Sequence, residues 1–242
     1  YELWLMRLLA LDPTDTLLDM GCATGTLAVP LARAGHRVHA CDFAEAMLAI
    51  LNQRAAQESL PITPHLLAWD DDWQAACLGE NSVDVAFASR SLMAADVQPY
   101  ICKLDLAARV KAAVVVSGGS LPSVDPQLLA YLGRPAAPQR AVESVKRVLA
   151  DLGRVPVLST TTTLRPMRFT SFEEGLANLR RLAGPEPFSA QEQELFDAYA
   201  VEHFKQLPGA MPTKAENHWV LDYDLPVTWK FIGWRTDGTA WQ

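Results

Sequence analysis

Residues 17–42 constrain this chain more than any other stretch. Two aliphatics, Leu17-Leu18, lead into Asp19-Met20-Gly21-Cys22-Ala23-Thr24-Gly25-Thr26. An apolar segment follows, and a second short run, Arg37-Val38-His39-Ala40-Cys41, ends on Asp42. The pattern reads as strand, tight glycine turn, helix and strand, with a carboxylate at the end of each strand. Gly21 and Gly25 suit a sharp turn in which side chains would block a ligand's approach to the backbone. The helix after the turn offers unpaired N–H groups and its dipole to whatever sits above the strand tips. Asp42 stands roughly 20 residues beyond the glycines, the spacing at which a carboxylate accepts hydrogen bonds from a ribose diol. The expected ligand is a nucleoside.

A nicotinamide dinucleotide would ask for G-x-G-x-x-G, and a carboxylate at Asp19 would be awkward beside a pyrophosphate. The same carboxylate is comfortable beside a cationic group. The segment from Asp19 to Gly25 resembles motif I of the class I S-adenosylmethionine-dependent methyltransferases, an acidic residue followed by Gly-x-Gly-x-Gly. Ala23 replaces the middle glycine, a departure expected to narrow the turn only slightly. By motif the resemblance covers residues 1–120, and by strand order the whole chain.

The remaining pattern alternates. Leu5, Leu8 and Leu9 mark a leading helix over Tyr1 to Leu11, in which Tyr1 and Trp4 either pack or help to cover a cofactor. A helix over 26–34 carries Pro30, read as a bend, and Gly35 as its C-terminal cap. A helix over 44–58 presents Met47, Leu48 and Leu51 to the core. Pro61 precedes a strand near 65–68, Val83 to Ala88 form the next, and Ala112 to Ser117 one buried on both faces. Gly118-Gly119-Ser120 follow at its tip. A helix over 141–152, stopped by Gly153, leads to a strand over 155–162.

Six strand–helix alternations indicate a doubly wound sheet, with ligands at the carboxyl ends of its strands. Asp19, Asp42, Asp70 and Ser89 all fall at such ends. The fold class expected is α/β: a Rossmann-like, seven-stranded, mostly parallel sheet with a helical lid insertion. The resemblance adds that its last strand, 227–234, is antiparallel. Capping boxes at Ser171 and Ser189 open two helices in the insertion, the second running through about Leu207 and ended by Pro208-Gly209. The expected division is a cofactor-binding core over 1–163, a lid over 164–218, and a C-terminal segment over 219–242 that completes the sheet.

The resemblance implies S-adenosyl-L-methionine across the sheet tips, released as S-adenosyl-L-homocysteine. Asp19 would lie near the amino group of its methionine part. The backbone of Gly21, Cys22, Ala23 and Gly25 would line the turn. Asp42, with Phe43 following, would hold the ribose. Asp70 and the Asp71 N–H would meet the adenine, with Trp69 or Trp73 as stacking candidates. Ser89 would face the transferable methyl, on a strand that looks like motif IV of the family but lacks Asn-Pro-Pro-Tyr.

Substrate-side candidates are Arg90, Ser91, Tyr199 and His203. Arg90 either holds a substrate carboxylate bidentately or pairs with a local acid such as Asp96. His203 and His218 are weak candidates for a general base, and no catalytic residue is assigned. No His and carboxylate set shows metal-ligand spacing, so no metal is expected.

With a net charge of −7 and no basic run, the chain does not suit a nucleic-acid or anionic membrane surface. A small-molecule methyl acceptor is expected, the oligomeric state being open between monomer and homodimer. Cys22, Cys41, Cys77 and Cys102 form no C-x-x-C pair, and no apolar run approaches a bilayer span. A cytoplasmic location is therefore expected. The alternative is a non-catalytic, methyltransferase-like module that binds the cofactor or a partner. A nicotinamide-dependent oxidoreductase is the second rival, disfavoured by the glycine spacing.

Overall fold

A computed structural model describes residues 1–118, 124–135, 140–207 and 219–241. In chain order the elements are Glu2–Leu9 (α1), Thr16–Met20 (β1), Ala28–Arg33 (α2), Arg37–Asp42 (β2), Glu45–Glu58 (α3) and Ile62–Leu66 (β3). Val83–Ser89 (β4), Gln98–Ala107 (α4), Ala108–Ser117 (β5), Pro126–Tyr131 (α5), Arg140–Asp151 (α6) and Val157–Arg165 (β6) follow. The chain continues through Arg168–Phe169 (β7), Phe172–Leu182 (α7), Ala190–His203 (α8), Phe204–Gln206 (β8), Trp219–Leu221 (β9) and Leu225–Arg235 (β10). Gly119, Ser120, Pro208, Gly209 and His218 lie outside the described residues.

Seven strands form one sheet in the order β3-β2-β1-β4-β5-β10-β6. β1 runs parallel to β2 and β4, β2 to β3, and β4 to β5. β10 is antiparallel to both of its neighbours. This is the Rossmann-like sheet that the strand pattern predicts. Strand order reverses between β1 and β4, which opens a crevice above their carboxyl ends. The central strands β4 and β5 are almost wholly buried, as the continuous apolar runs require.

The opposite end of the sheet holds β1 and β4 in register. The Thr16 N–H and hydroxyl both donate to Asp84 Oδ2, at 2.8 and 2.7 Å, and Arg109 Nε donates to Asp84 Oδ1 at 3.0 Å.

Four local expectations need correction. The helix opened by Ser189 ends at His203 and gives way to β8 instead of running through Leu207. α2 begins at Ala28, so Pro30 sits in its first turn, where the missing N–H is one the helix could not use. No bend is required. β3 starts at Ile62, directly after Pro61, and ends at Leu66 instead of running over 65–68. Met47 is 41% exposed, because α3 docks through Leu48, Leu51 and Ala55.

The chain divides into two compact units. The first comprises Tyr1–Val116, Ala141–Thr161 and Trp229–Gln242; the second comprises Ser117–Arg140 and Thr162–Thr228. In the first, Leu18, Met20, Ile101, Leu104, Val114, Val145 and Trp234 belong to one core. The second has its own core of Leu128, Phe169, Leu179, Phe196, Tyr199 and Phe204. It also contains a small antiparallel sheet, β7-β9-β8.

Candidate functional site

The glycine turn leaves β1 and folds over the end of β2. The N–H groups of Gly21 and Cys22 both donate to the Cys41 carbonyl, at 2.8 and 2.9 Å. Gly21 and Gly25 have φ of +81° and +85°, and Ala23 between them is also left-handed at +48°. Packing as well as backbone conformation demands the two glycines. A Cβ on Gly21 would stand 2.1 Å from Ser91 Cβ, and one on Gly25 would stand 2.4 Å from Leu51 Cδ1. Ser91 is locked there by its hydroxyl, which donates to the Met20 carbonyl at 2.6 Å. Ala23 therefore does more than narrow the turn: it places a methyl group in a conformation that disfavours side chains.

Asp19 is 1% exposed, and its Oδ2 has no hydrogen-bond partner. Burial first, and the neighbouring Asp42 second, push this carboxyl up to about 7, against a smaller lowering by the Ala28 N–H. Asp42 is buried but well served. Its Oδ2 accepts from the Ala23 N–H at 2.8 Å and its Oδ1 from the Ala44 N–H at 2.9 Å. The acid at the tip of β2 thus also clasps the turn that follows β1. Cys22 and Cys41 are buried free thiols, raised far above the usual range by burial and by Asp19 and Asp42, so neither serves as a thiolate. Phe43, next along, is 77% exposed.

After β3 the chain turns through the acidic run. Asp70 is exposed and accepts from the Tyr100 hydroxyl at 2.8 Å, while the Asp71 carboxylate accepts from the Ala68 N–H at 2.7 Å. The Asp71 N–H points back to the Ala68 carbonyl at 3.4 Å. Trp73 is buried in the core with its indole N–H on the Ala68 carbonyl. Trp69, half-buried, ties this turn to the next one by donating to the Ser91 carbonyl at 3.2 Å. Beside the run lies a cleft of about 350 Å³ lined in part by Asp72, Gln74 and Lys103. The Lys103 ammonium is engaged by the Trp69 and Asp71 carbonyls.

At the tip of β4, Ser89 Oγ and the Tyr1 hydroxyl are hydrogen-bonded at 2.5 Å. Arg90 is exposed and left-handed, with φ of +62°. Its guanidinium lies 4.7 Å from the centre of the Tyr1 ring and 5.5 Å from that of Trp229. Asp96 is not its partner; that carboxylate accepts from the Gln98 N–H instead.

Residues 17–111 match the family model described as a methyltransferase domain. A curated uncharacterized protein of Haemophilus influenzae is 34% identical over 105 residues, which is 43% of this chain and 38% of that protein. The aligned segment therefore spans well under half of that relative. Among solved structures, the geranyl diphosphate C-methyltransferase of Streptomyces coelicolor A3(2) was crystallised with Mg2+, geranyl diphosphate and S-adenosyl-L-homocysteine. It superposes with a TM-score of 0.53 at 17% identity, over 97% of this chain and 79% of that one. The YcgJ protein of Bacillus subtilis gives a TM-score of 0.58 at 10% identity, over 97% of both chains. Over residues 17–111 the chain is thus similar to a methyltransferase domain, carried on a Rossmann-like fold.

Within the first unit the structure assembles Asp19, Gly21, Cys22, Ala23, Gly25, Asp42, Phe43, Ser89, Arg90 and Ser91 around the ends of β1, β2 and β4. Asp70 and Asp71 stand beyond the end of β3. Tyr199 and His203 belong to the second unit. There the Tyr199 hydroxyl donates to that of Tyr223 at 2.8 Å, and Tyr223 donates to the fully buried Asp125. His203 Nδ1 meets Asp222 at 2.8 Å, its ring centre 4.2 Å from that of Tyr199 at a tilt of 46°.

Sequence reasoning missed the parts played by Trp229, Tyr223 and Asp125. For Asp125 a signal existed: Asp before Pro126 is an N-cap followed by proline at the first helical position, and Asp125 does cap α5. Among the described residues, no group of three or more His, Cys, Asp or Glu could hold a metal, and no helix is long and apolar enough to cross a membrane.

Proposed function

We propose that this protein is an S-adenosylmethionine-dependent methyltransferase that transfers a methyl group to a small-molecule acceptor by in-line displacement. The observation that carries the reading is the buried Asp19 carboxylate with Oδ2 unpartnered, at the foot of a glycine turn above the switch point of the sheet. An anionic group held out of water without a counter-charge is costly. The ammonium of a methionine moiety supplies that charge and a hydrogen bond.

The other donors and acceptors fit the rest of such a cofactor. Gly21, Cys22, Ala23 and Gly25 present a turn with little side-chain bulk. Asp42 keeps lone pairs for a ribose diol beyond the two N–H groups it already accepts. The exposed Phe43 follows Asp42 in the chain, and Asp70, oriented by Tyr100, serves the adenine, while Asp71 braces the turn through Ala68. Ser89, oriented by Tyr1, stands at the reacting end. When bound, the cofactor supplies a methyl group already activated by a cationic sulfur. The chain's own task is then alignment and exclusion of water, which contribute several kcal/mol without an acid or base. The acceptor is small, in keeping with a net charge of −7 and no basic run.

Calorimetric titration with S-adenosyl-L-homocysteine tests this reading. Micromolar binding is expected, weakened at least tenfold by Asp19→Asn or Asp42→Ala. No binding to the wild-type protein would reject it.

A further inference from the structure

Arg90 is an uncommitted cation beside an acid-rich site. Among the described residues no carboxylate pairs with it and no acceptor takes its side-chain N–H groups, although the chain as a whole is acidic. Its position is nonetheless fixed. The Arg90 N–H donates to the Val115 carbonyl at 2.9 Å, its backbone is left-handed, and two aromatic faces flank the guanidinium. Tyr1, one of those faces, is bonded to Ser89. A planar cation set in the corner of two edge-to-face rings keeps N–H groups available for a fork-to-fork contact.

We propose that Arg90, clamped by Tyr1 and Trp229, is the specificity-determining residue for a methyl acceptor that carries a carboxylate. This rests on the methyltransferase reading above and names its substrate class. A carboxylate suits the site better than a phosphate or diphosphate. The tip of β4 offers a single guanidinium, that of Arg90, on a chain that is acidic as a whole. One cation balances a single negative charge and leaves a phosphate dianion undercompensated. The strained backbone points the same way: glycine would relieve it, yet the position holds a long cation.

The test uses the intact protein, with and without saturating S-adenosyl-L-homocysteine, and ligand-observed NMR titrations. The probes are 4-hydroxybenzoate, salicylate and octanoate, each against its carboxamide, with inorganic phosphate as a further arm. At least one carboxylate is expected to bind about tenfold more tightly than its amide, the usual scale of a charge-assisted pair. In Arg90→Met that preference should fall to within twofold, while melting temperature and S-adenosyl-L-homocysteine affinity stay unchanged.

Absence of any carboxylate preference in the wild type, its survival in Arg90→Met, or tighter binding of phosphate than of every carboxylate overturns the proposal. So does an affinity loss in Arg90→Met for S-adenosyl-L-homocysteine but not for 5′-methylthioadenosine, which would place the guanidinium on the cofactor's own carboxylate. If S-adenosyl-L-homocysteine fails to bind but the Arg90-dependent carboxylate preference persists, the cofactor reading falls and the anion site stands.

Discussion

The Ser91 side chain fills the space that a Cβ on Gly21 would need, with 2.1 Å between the two positions. Residues far apart in sequence therefore share one small volume at the junction of β1 and β4. Gly21→Ala is expected to destabilise the protein by about 2–4 kcal/mol, combining overpacking with a left-handed alanine. Adding Ser91→Gly should recover the steric part only. Urea denaturation of the two single variants and the double variant measures the coupling; strictly additive effects would show that the contact is not responsible.

The Asp19 carboxyl makes the free protein sensitive to pH. Its folded value of about 7 lies above the ordinary 3.8. Between these values the unfolded chain releases a proton that the folded chain retains. The stability associated with this group is thus fully present below about 4 and lost as pH rises toward 7, by up to about 4 kcal/mol. Asp19→Asn should flatten the dependence and raise stability at pH 8. Urea midpoints from pH 4.5 to 8 read the slope.

On the proposed reading, the same carboxyl also governs how the cofactor product binds. A cationic amino group favours the ionised form, so binding below pH 7 must release a proton. Affinity for S-adenosyl-L-homocysteine is expected to rise by up to tenfold per pH unit up to about 7 and then level off. Calorimetry in two buffers of different ionisation enthalpy detects the proton directly. An affinity that does not change from pH 5.5 to 7 would remove Asp19 from the binding contact.

Ala23→Gly should stabilise the turn by about 0.5–1 kcal/mol, because relief at φ +48° outweighs the added freedom of the unfolded chain. The N–H that Asp42 accepts is retained, so ligand affinity should hold. Thermal melts are sufficient here. A loss of stability would mean that the methyl group has packing value of its own.

In the second unit, Tyr223→Phe removes the donor to Asp125 and the acceptor for Tyr199 together. A buried carboxylate deprived of such a donor costs about 1–3 kcal/mol. Hydrogen exchange should accelerate in α5 and α8, with the β1–β4 region unaffected. Uniform acceleration over both units would show that they unfold as one.

The succession of strands and helices and the placement of Asp19 and Asp42 at strand ends were legible because local signals specify both. Alternation marks each strand, and a glycine or proline marks each turn. What escaped notice depends on residues remote in the chain. Gly21 looks like a ligand-facing glycine, yet Ser91 decides it. Met47 fits the apolar face of α3, but docking rotates that face toward Leu48 and Leu51. Pro30 reads as a helix interior only if the helix is begun too early. α5 has six residues, too few for periodicity to register. Arg90 was visible as a cation at a strand end, whereas the two rings that hold it come from the first residue and from β10.

The position of β10 sets the order in which this molecule can be built. β1 to β5 can pair as they emerge during synthesis, each beside a strand already made. β6 cannot, because the neighbour it needs is β10, which is translated well after it. Until then the edge of β5 stays open, and β6 waits unpaired, with the second unit's chain between it and its partner. Closure of the sheet is therefore a late, long-range step, and the nascent protein carries a sticky edge that a chaperone or a fast release from the ribosome must protect.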